Sequence, residues 1–145
     1  MVQKFEAMSK DDALHVEKQR TWVREHYGPG SRHLYDTLDG KLTLLETIVR
    51  EKWIEPNETW KLQSLGITFG DALAQKLNMH WVMVEDEYGR DPALHDLGTT
   101  IVLFPLTSIS KRIEKGEAVD VRELFENACR TVARLRAELR SDKPH

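Results

Sequence analysis

The sequence contains a single cysteine, Cys129, among its 145 residues. One cysteine cannot form an internal disulfide or a cysteine-based zinc site, so scaffolds held together by either are excluded. Long hydrophobic runs are missing too, because no stretch approaches the roughly 18 apolar residues that a membrane-spanning helix needs. With 40% hydrophobic and 31% charged residues, the composition is typical of a globular chain. The length predicts a single domain over residues 1–145.

The chain also lacks a strong excess of either charge, since 21 lysine and arginine residues face 24 aspartate and glutamate residues, a net charge of −3. Nucleic-acid-binding proteins carry a basic excess, so this class is not expected. Residues 1–10 lack the apolar core of a signal peptide, and we expect a cytoplasmic protein without membrane contact. Residues 1–8 and 141–145 lie outside the periodic segments and are expected to be frayed.

Helical patterns occupy the two ends of the chain. Ser9 and Asp12 match a capping box, which predicts a helix from Ser9 toward His26. Gly66 and Gly70 lie one turn apart in the third predicted helix, where small residues let another backbone approach closely. Apolar residues at three- and four-residue spacing predict the remaining helices, at about 31–52, 56–77, 107–115 and 120–140.

Strand patterns lie between these helices. The segments at about 81–87 and 99–104 are rich in β-branched and aromatic residues, and 93–95 can add a third strand. Short connections favour antiparallel pairing. The order ααα-ββ(β)-αα therefore predicts an α+β fold, a small sheet of two or three strands covered by about five helices. Both faces of the strands are apolar, so we expect the sheet to be covered on both sides, by helices or by a second copy in a homodimer.

The densest charge lies directly after the first predicted strand, where residues 84–96 contain five carboxylates and one arginine. Such crowding is typical of a solvated turn that keeps a strand edge from pairing. It also fits a surface that binds a partner protein with a basic surface. In the second interpretation the predicted binding residues are Glu85, Asp86, Glu87, Tyr88, Arg90 and Asp91.

The four tryptophans divide into two groups. Trp22 lies on the weakly apolar first helix and is predicted to be exposed, as an additional anchor for a partner. Trp53, Trp60 and Trp81 lie on apolar stripes or strand faces, and the core is their expected place.

An enzymatic interpretation depends on Asp71 in the third predicted helix. Paired with Glu85 or Asp86, it would give a small hydrolase its two carboxylates, with a divalent metal as a further option. The simpler interpretation of Asp71 is a buried hydrogen-bonding role. The six histidines are scattered, and no H-E-x-x-H, P-loop, nucleophile-elbow or dinucleotide motif occurs. No metal site and no cofactor are therefore predicted.

The centre of the sequence resembles a known family. The segments that carry the resemblance are WKLQSLG at residues 60–66, WVMVEDEYGRDPAL at 81–94, LFPL at 103–106 and SISKRIE at 108–114. Together they span about residues 54–125 and are similar to a bacterial family catalogued only as a domain of unknown function. The resemblance implies a small bacterial intracellular domain. It brings no catalytic residue, cofactor or partner with it.

Three functional hypotheses follow. The first is a non-enzymatic protein-binding module of the immunity or adaptor type that uses the acidic turn. The second is the small hydrolase built on Asp71 with Glu85 or Asp86. The third is a homo-oligomeric structural protein whose second subunit completes the apolar sheet.

Overall fold

Residues 3–141 are described by the structure, a computed structural model. The tail at 142–145, predicted to be frayed, lies outside these residues. The helices are α1 (Lys10–Arg24), α2 (Leu38–Glu51), α3 (Thr59–Leu77), α4 (Ser110–Glu114) and α5 (Val121–Ser141). The strands are β1 (Lys4–Glu6), β2 (His80–Asp86), β3 (Gly89–His95) and β4 (Val102–Leu103). Two 3-10 helices, Pro29–Asp36 and Pro105–Thr107, complete the order.

The predicted capping box starts α1. The Ser9 hydroxyl accepts a hydrogen bond from the Asp12 N–H at 3.1 Å, and the Asp12 carboxylate accepts one from the Ser9 N–H at 2.9 Å. These two bonds satisfy first-turn amides that the helix itself cannot pair. At the other end of the helical region, α3 stops where Asn78 adopts a left-handed conformation with φ of 56°. Asparagine tolerates this conformation better than most residues.

The second predicted helix is wrong over its first third. A 3-10 helix covers Pro29–Asp36, and α2 begins only after Thr37, whose hydroxyl accepts from the Gly40 N–H at 2.9 Å. The 3-10 segment folds back against this first turn. A Cβ at Gly40 would lie 1.9 Å from the Leu34 carbonyl oxygen. The glycine therefore permits the close contact between the two segments.

The sheet has four antiparallel strands in the order β1-β2-β3-β4, where the sequence predicted two or three. The additional strand, β1, lies in the segment 1–8 that was expected to be frayed, and it pairs Phe5 with Val84. The predicted strand at 99–104 shrinks to Val102–Leu103 because residues before it form a turn, closed by a 3.1 Å bond from the Asp96 N–H to the Ile101 carbonyl. The α+β class and the antiparallel pairing are confirmed.

Both faces of the sheet are buried at its centre, as predicted. Met83 and Val84 point to opposite faces of β2 and are 6% and 2% exposed, and the neighbouring pair Ala93 and Leu94 on β3 is fully buried. This burial comes from one chain alone. No helix within residues 3–141 is both long and apolar enough to cross a membrane.

Helix α3 lies at the centre of the core, with ten of its residues buried. Its Phe69 ring meets the Phe125 ring of α5 edge to face at 6.3 Å. The predicted close approach at the glycine pair is confirmed. A Cβ at Gly66 would lie 2.1 Å from the Leu106 carbonyl oxygen, and one at Gly70 would lie 2.4 Å from the Trp81 ring.

The Gly66 contact predicts a stability difference. We expect Gly66→Ala to lower the free energy of unfolding by about 1–3 kcal/mol, because the added methyl meets a backbone atom that cannot rotate away. Gly30→Ala is the matched control, since a Cβ at Gly30 meets nothing within 4 Å. It should leave stability unchanged or raise it by about 0.5 kcal/mol. Urea unfolding of both variants tests this, and equal midpoints would contradict the packing argument.

Candidate functional site

The carboxylate of Asp71 is the most heavily hydrogen-bonded acid in the described part of the chain, and its side chain is only 11% exposed. Arg20 of α1 donates two hydrogen bonds to it, from Nε to Oδ2 at 2.6 Å and from Nη2 to Oδ1 at 2.9 Å. The Trp81 indole N–H donates to Oδ1 at 2.9 Å, and the Tyr35 hydroxyl donates to Oδ2. Both carboxylate oxygens therefore accept two hydrogen bonds each.

This network changes the titration of its members. Burial, followed by the charge of Asp71, raises the pKa of the Tyr35 hydroxyl well above its usual range. The hydrogen bond to Asp71 raises the pKa of Arg20. Tyr35 thus stays protonated and Arg20 stays charged, which keeps all four donors in place. A carboxylate so fully engaged has no lone pair directed at a substrate, and the structure gives Asp71 the buried hydrogen-bonding role.

The structure does not bring Asp71 together with Glu85 or Asp86. Trp81, which touches Asp71, stands at the start of β2, and Glu85 follows four residues later, about 13 Å along the strand. The Asp86 Oδ1 atom accepts from the Tyr88 N–H at 2.8 Å and so closes the following turn. The paired carboxylates of the hydrolase hypothesis are not assembled. Within residues 3–141, no group of three His, Cys, Asp or Glu side chains is placed to hold a metal ion.

The other predicted site residues lie on the β2–β3 hairpin, whose end we call the acidic hairpin tip (residues 85–91). Asp86 pairs with Gly89 across the turn. Gly89 has φ of +141°, a conformation that favours glycine. The two residues between them, Glu87 and Tyr88, are exposed, and the Tyr88 side chain is 90% exposed. The turn therefore presents an aromatic side chain at its outermost point.

Arg90 was predicted to anchor a partner, but the structure shows it bound within the chain. Its two terminal nitrogens donate to the two carboxylate oxygens of Asp12, each at 2.7 Å, and Glu6 lies 3.6 Å away. The hydrogen bond from Arg90 is the largest cause that holds the pKa of Asp12 well below its usual range. Arg90 thus clamps the hairpin to the first turn of α1. It positions the tip, and 36% of its side chain remains exposed there.

The carboxylates of residues 84–96 do not all share one location. Glu85 pairs across the sheet with Lys4 on one side and Arg90 on the other. Asp91 is exposed on β3, two residues beyond the turn. Asp96, at the opposite end of β3, accepts from Arg136 of α5 at 2.8 Å and belongs to a separate contact.

Three of the four tryptophan predictions are wrong: the one expected to be exposed is half-buried, and two of those expected in the core are exposed. Trp22 is half-buried against the core, whereas Trp53 is 61% and Trp60 39% exposed. Lys52 ends α2 in a left-handed conformation with φ of 54°, and this turn takes Trp53 off the helix stripe. The Trp53 indole N–H then donates to Glu51. Of the three tryptophans expected in the core, Trp81 is the one that packs there, against Gly70 and Asp71.

Two further concave surfaces lie between the helices. A groove of about 710 Å³ separates the end of α2 from the loop after α4, and its apolar walls include Ile48, Ile54 and Val119. A cavity of about 420 Å³ lies between α2, α3 and α5, with Phe125 and Cys129 in its wall. Burial raises the pKa of the Cys129 thiol, which is therefore a protonated, weakly nucleophilic group.

The described residues thus define an α+β protein with a four-stranded antiparallel sheet and no assembled catalytic carboxylate pair. Residues 41–125 match the family described as Domain of unknown function (DUF3806). Because the match spans more than half of the chain, the protein belongs to this family. This confirms the family resemblance, and the match begins upstream of residue 54, where the resemblance began.

A solved structure shows the same fold. The crystal structure of a protein from Bacteroides thetaiotaomicron VPI-5482, at 1.50 Å resolution, superposes with a TM-score of 0.70 and 14% sequence identity. The alignment covers 89% of this chain and 48% of that chain, so the chain spans about half the length of that protein. At this identity the likeness shows the fold alone. No curated protein matches the sequence.

The Asp71 network predicts a large loss of stability. We expect Asp71→Asn to lower the free energy of unfolding by about 3–5 kcal/mol, because Arg20 loses its buried anionic partner and the amide nitrogen faces donors. Glu17→Gln is the control, since Glu17 binds the same guanidinium at 2.6 Å with a side chain that is 46% exposed. Its cost should be about 0–1 kcal/mol. Urea unfolding measures both, and similar losses would contradict the structural role of Asp71.

The His26 imidazole predicts a pH dependence. Burial lowers the pKa of His26, with Lys61 acting in the same direction and Glu51 opposing it. Below the ordinary histidine pKa of about 6.5 the unfolded chain takes up a proton that the folded chain resists, so stability falls as the pH drops from 7.5 to 5. We expect His26→Gln to reduce this slope, and the exposed His15→Gln to leave it unchanged. Unfolding free energies at four pH values decide between the two outcomes.

Proposed function

We propose that this protein is a non-enzymatic protein-binding module, of the adaptor or immunity type, that receives a basic surface of a partner protein at the acidic hairpin tip. The observation that carries the proposal is Tyr88, which is 90% exposed at a turn closed by the Asp86 carboxylate. Tyrosine is enriched at interface hot spots because its ring offers a large contact area at low entropic cost. A fully exposed tyrosine has no packing role within its own chain.

The rigidity of the tip supports the proposal. The Asp86 carboxylate holds the turn through the Tyr88 N–H, and Arg90 fixes the hairpin to α1 through two bonds to Asp12. A surface that is already ordered loses little conformational entropy when a partner binds. Arg90, the one arginine of the tip, is thereby paired with Asp12. The carboxylates of Glu85 and Asp91 therefore keep an acidic character that the arginine does not cancel.

The charge of the tip points to the chemistry of the partner. Four carboxylates and one arginine lie within residues 85–91, and the arginine is paired with Asp12. Complementary charge speeds encounter and selects partners more than it adds affinity. A basic protein surface fits this pattern. Because Glu87 and Asp91 are exposed, we expect the complex to weaken as salt rises.

A photo-crosslinking amino acid at position 88 tests the proposal in an extract of cells that contain the partner. We expect a covalent adduct with a protein of basic surface. Its yield should fall as added salt is raised from 50 to 500 mM, because the Debye screening length shortens several-fold over this range. The same cross-linker at the exposed position 14 of α1 is the control for random collision. An adduct at twice the mass of the chain would instead favour the homo-oligomeric hypothesis.

A charge variant completes the test. Glu85→Gln, Glu87→Gln and Asp91→Asn together spare Asp86, which closes the turn, and they should reduce the adduct yield at least several-fold. The matched control neutralises three exposed glutamates elsewhere on the surface, Glu114, Glu123 and Glu138. If both triple variants cross-link as well as the unmodified chain, the acidic hairpin tip is not the binding surface.

A further inference from the structure

The cavity between α2, α3 and α5 has a volume of about 420 Å³, within the range of small-molecule sites in proteins. Its apolar wall is formed by Leu38 and Leu42 of α2 and by Phe125 of α5. Leu42 and Phe125 are 4% and 7% exposed, so their positions are set by the core beneath them. The apolar wall is therefore preformed rather than made of loose surface side chains.

The rim of the cavity carries charged side chains of both signs. Lys76, Arg122 and Arg130 face two carboxylates, Asp39 and Glu126. Arg122 is engaged, with Nη2 at 3.0 Å from Asp39 and Nε at 2.8 Å from Glu46. Arg130 lies 3.9 Å from Glu126. Both carboxylates of the rim are thus already paired with an arginine.

Lys76 is the cation that remains. Within residues 3–141 its ammonium group has no hydrogen-bond or ion-pair partner, and it stands on the last turn of α3 at the edge of the cavity. Burial raises the pKa of the Cys129 thiol in the wall of the cavity, the charge of Lys76 opposes this effect, and that of Glu126 adds to it. An unpaired cation at the mouth of an apolar cavity is complementary to a molecule with one anionic end.

We propose that this cavity binds a small amphipathic carboxylate, an aryl or medium-chain aliphatic acid. Its apolar body lies against Leu38, with Leu42 and Phe125 beneath, and its carboxylate lies at Lys76. This site shares no residue with the acidic hairpin tip and does not depend on the proposed function. The larger groove of about 710 Å³ lacks such complementarity, because its lining holds one lysine, Lys52, and two glutamates, Glu55 and Glu117.

The single cysteine makes the site measurable in the full chain. Cys129 lines the cavity and is the one thiol of the sequence, so its alkylation by uncharged iodoacetamide reports on this cavity and not on the larger groove. Octanoate is the probe, and octan-1-ol, with the same chain and no charge, is the comparison. Octanoate should slow alkylation in a saturable way below its micelle concentration. Octan-1-ol should protect Cys129 from alkylation with an apparent affinity about tenfold weaker, because it lacks the one charge-assisted contact with Lys76.

The variant Lys76→Gln separates the anion contact from simple hydrophobic partitioning. We expect it to weaken protection by octanoate about tenfold and to leave protection by octan-1-ol unchanged. Lys111→Gln, an exposed lysine outside the cavity, is the matched control and should change neither. The proposal is overturned if octanoate gives no protection, if both probes protect equally, or if Lys76→Gln leaves octanoate protection intact.

Discussion

The carboxylate of Asp71 is the point at which the separate parts of the fold meet. Its four donors come from α1, from the 3-10 helix, and from β2, and Asp71 itself stands on the central helix α3. A buried charge is costly unless it is fully hydrogen-bonded. The sequence elements that supply Arg20, Tyr35 and Trp81 must therefore dock together, or the charge remains unsatisfied. This requirement fixes the orientation of α1 and β2 on α3.

The position of the acidic hairpin tip follows from the same constraint. Helix α1 is held at Arg20 by the Asp71 network and at Asp12 by Arg90. These two residues are about 12 Å apart along the helix, so α1 acts as a short rigid brace between the core and the hairpin. The hairpin in turn begins at Trp81, which binds Asp71. Both routes from the core to Tyr88 thus start from one carboxylate, which ties the position of an exposed turn to the core.

Local signals in the sequence predicted more of the fold than of the site. The capping box at Ser9 and the four-residue spacing of the glycine pair in α3 are signals contained within a single helix turn or two, and both predictions are confirmed. The role of Asp71 depends on Arg20, 51 residues away, and no periodicity encodes that distance. The prediction for Trp53 is wrong because Lys52, in a left-handed conformation, ends the helix, so that Trp53 no longer lies on the apolar stripe of α2. Position in a pattern predicts burial only while the backbone remains regular.

Charge counts from the sequence require the same correction, because paired charges do not act on a partner. The arginines of α5 appear in the sequence as a basic face, yet Arg122, Arg130, Arg134 and Arg136 are each within 4 Å of a carboxylate. Pairing cancels most of their field at a distance, which argues against a phosphate-binding surface there. The same pairing leaves Lys76 as an uncompensated charge beside the cavity. A single ammonium group beside an apolar wall suits a small anion better than a polyanion.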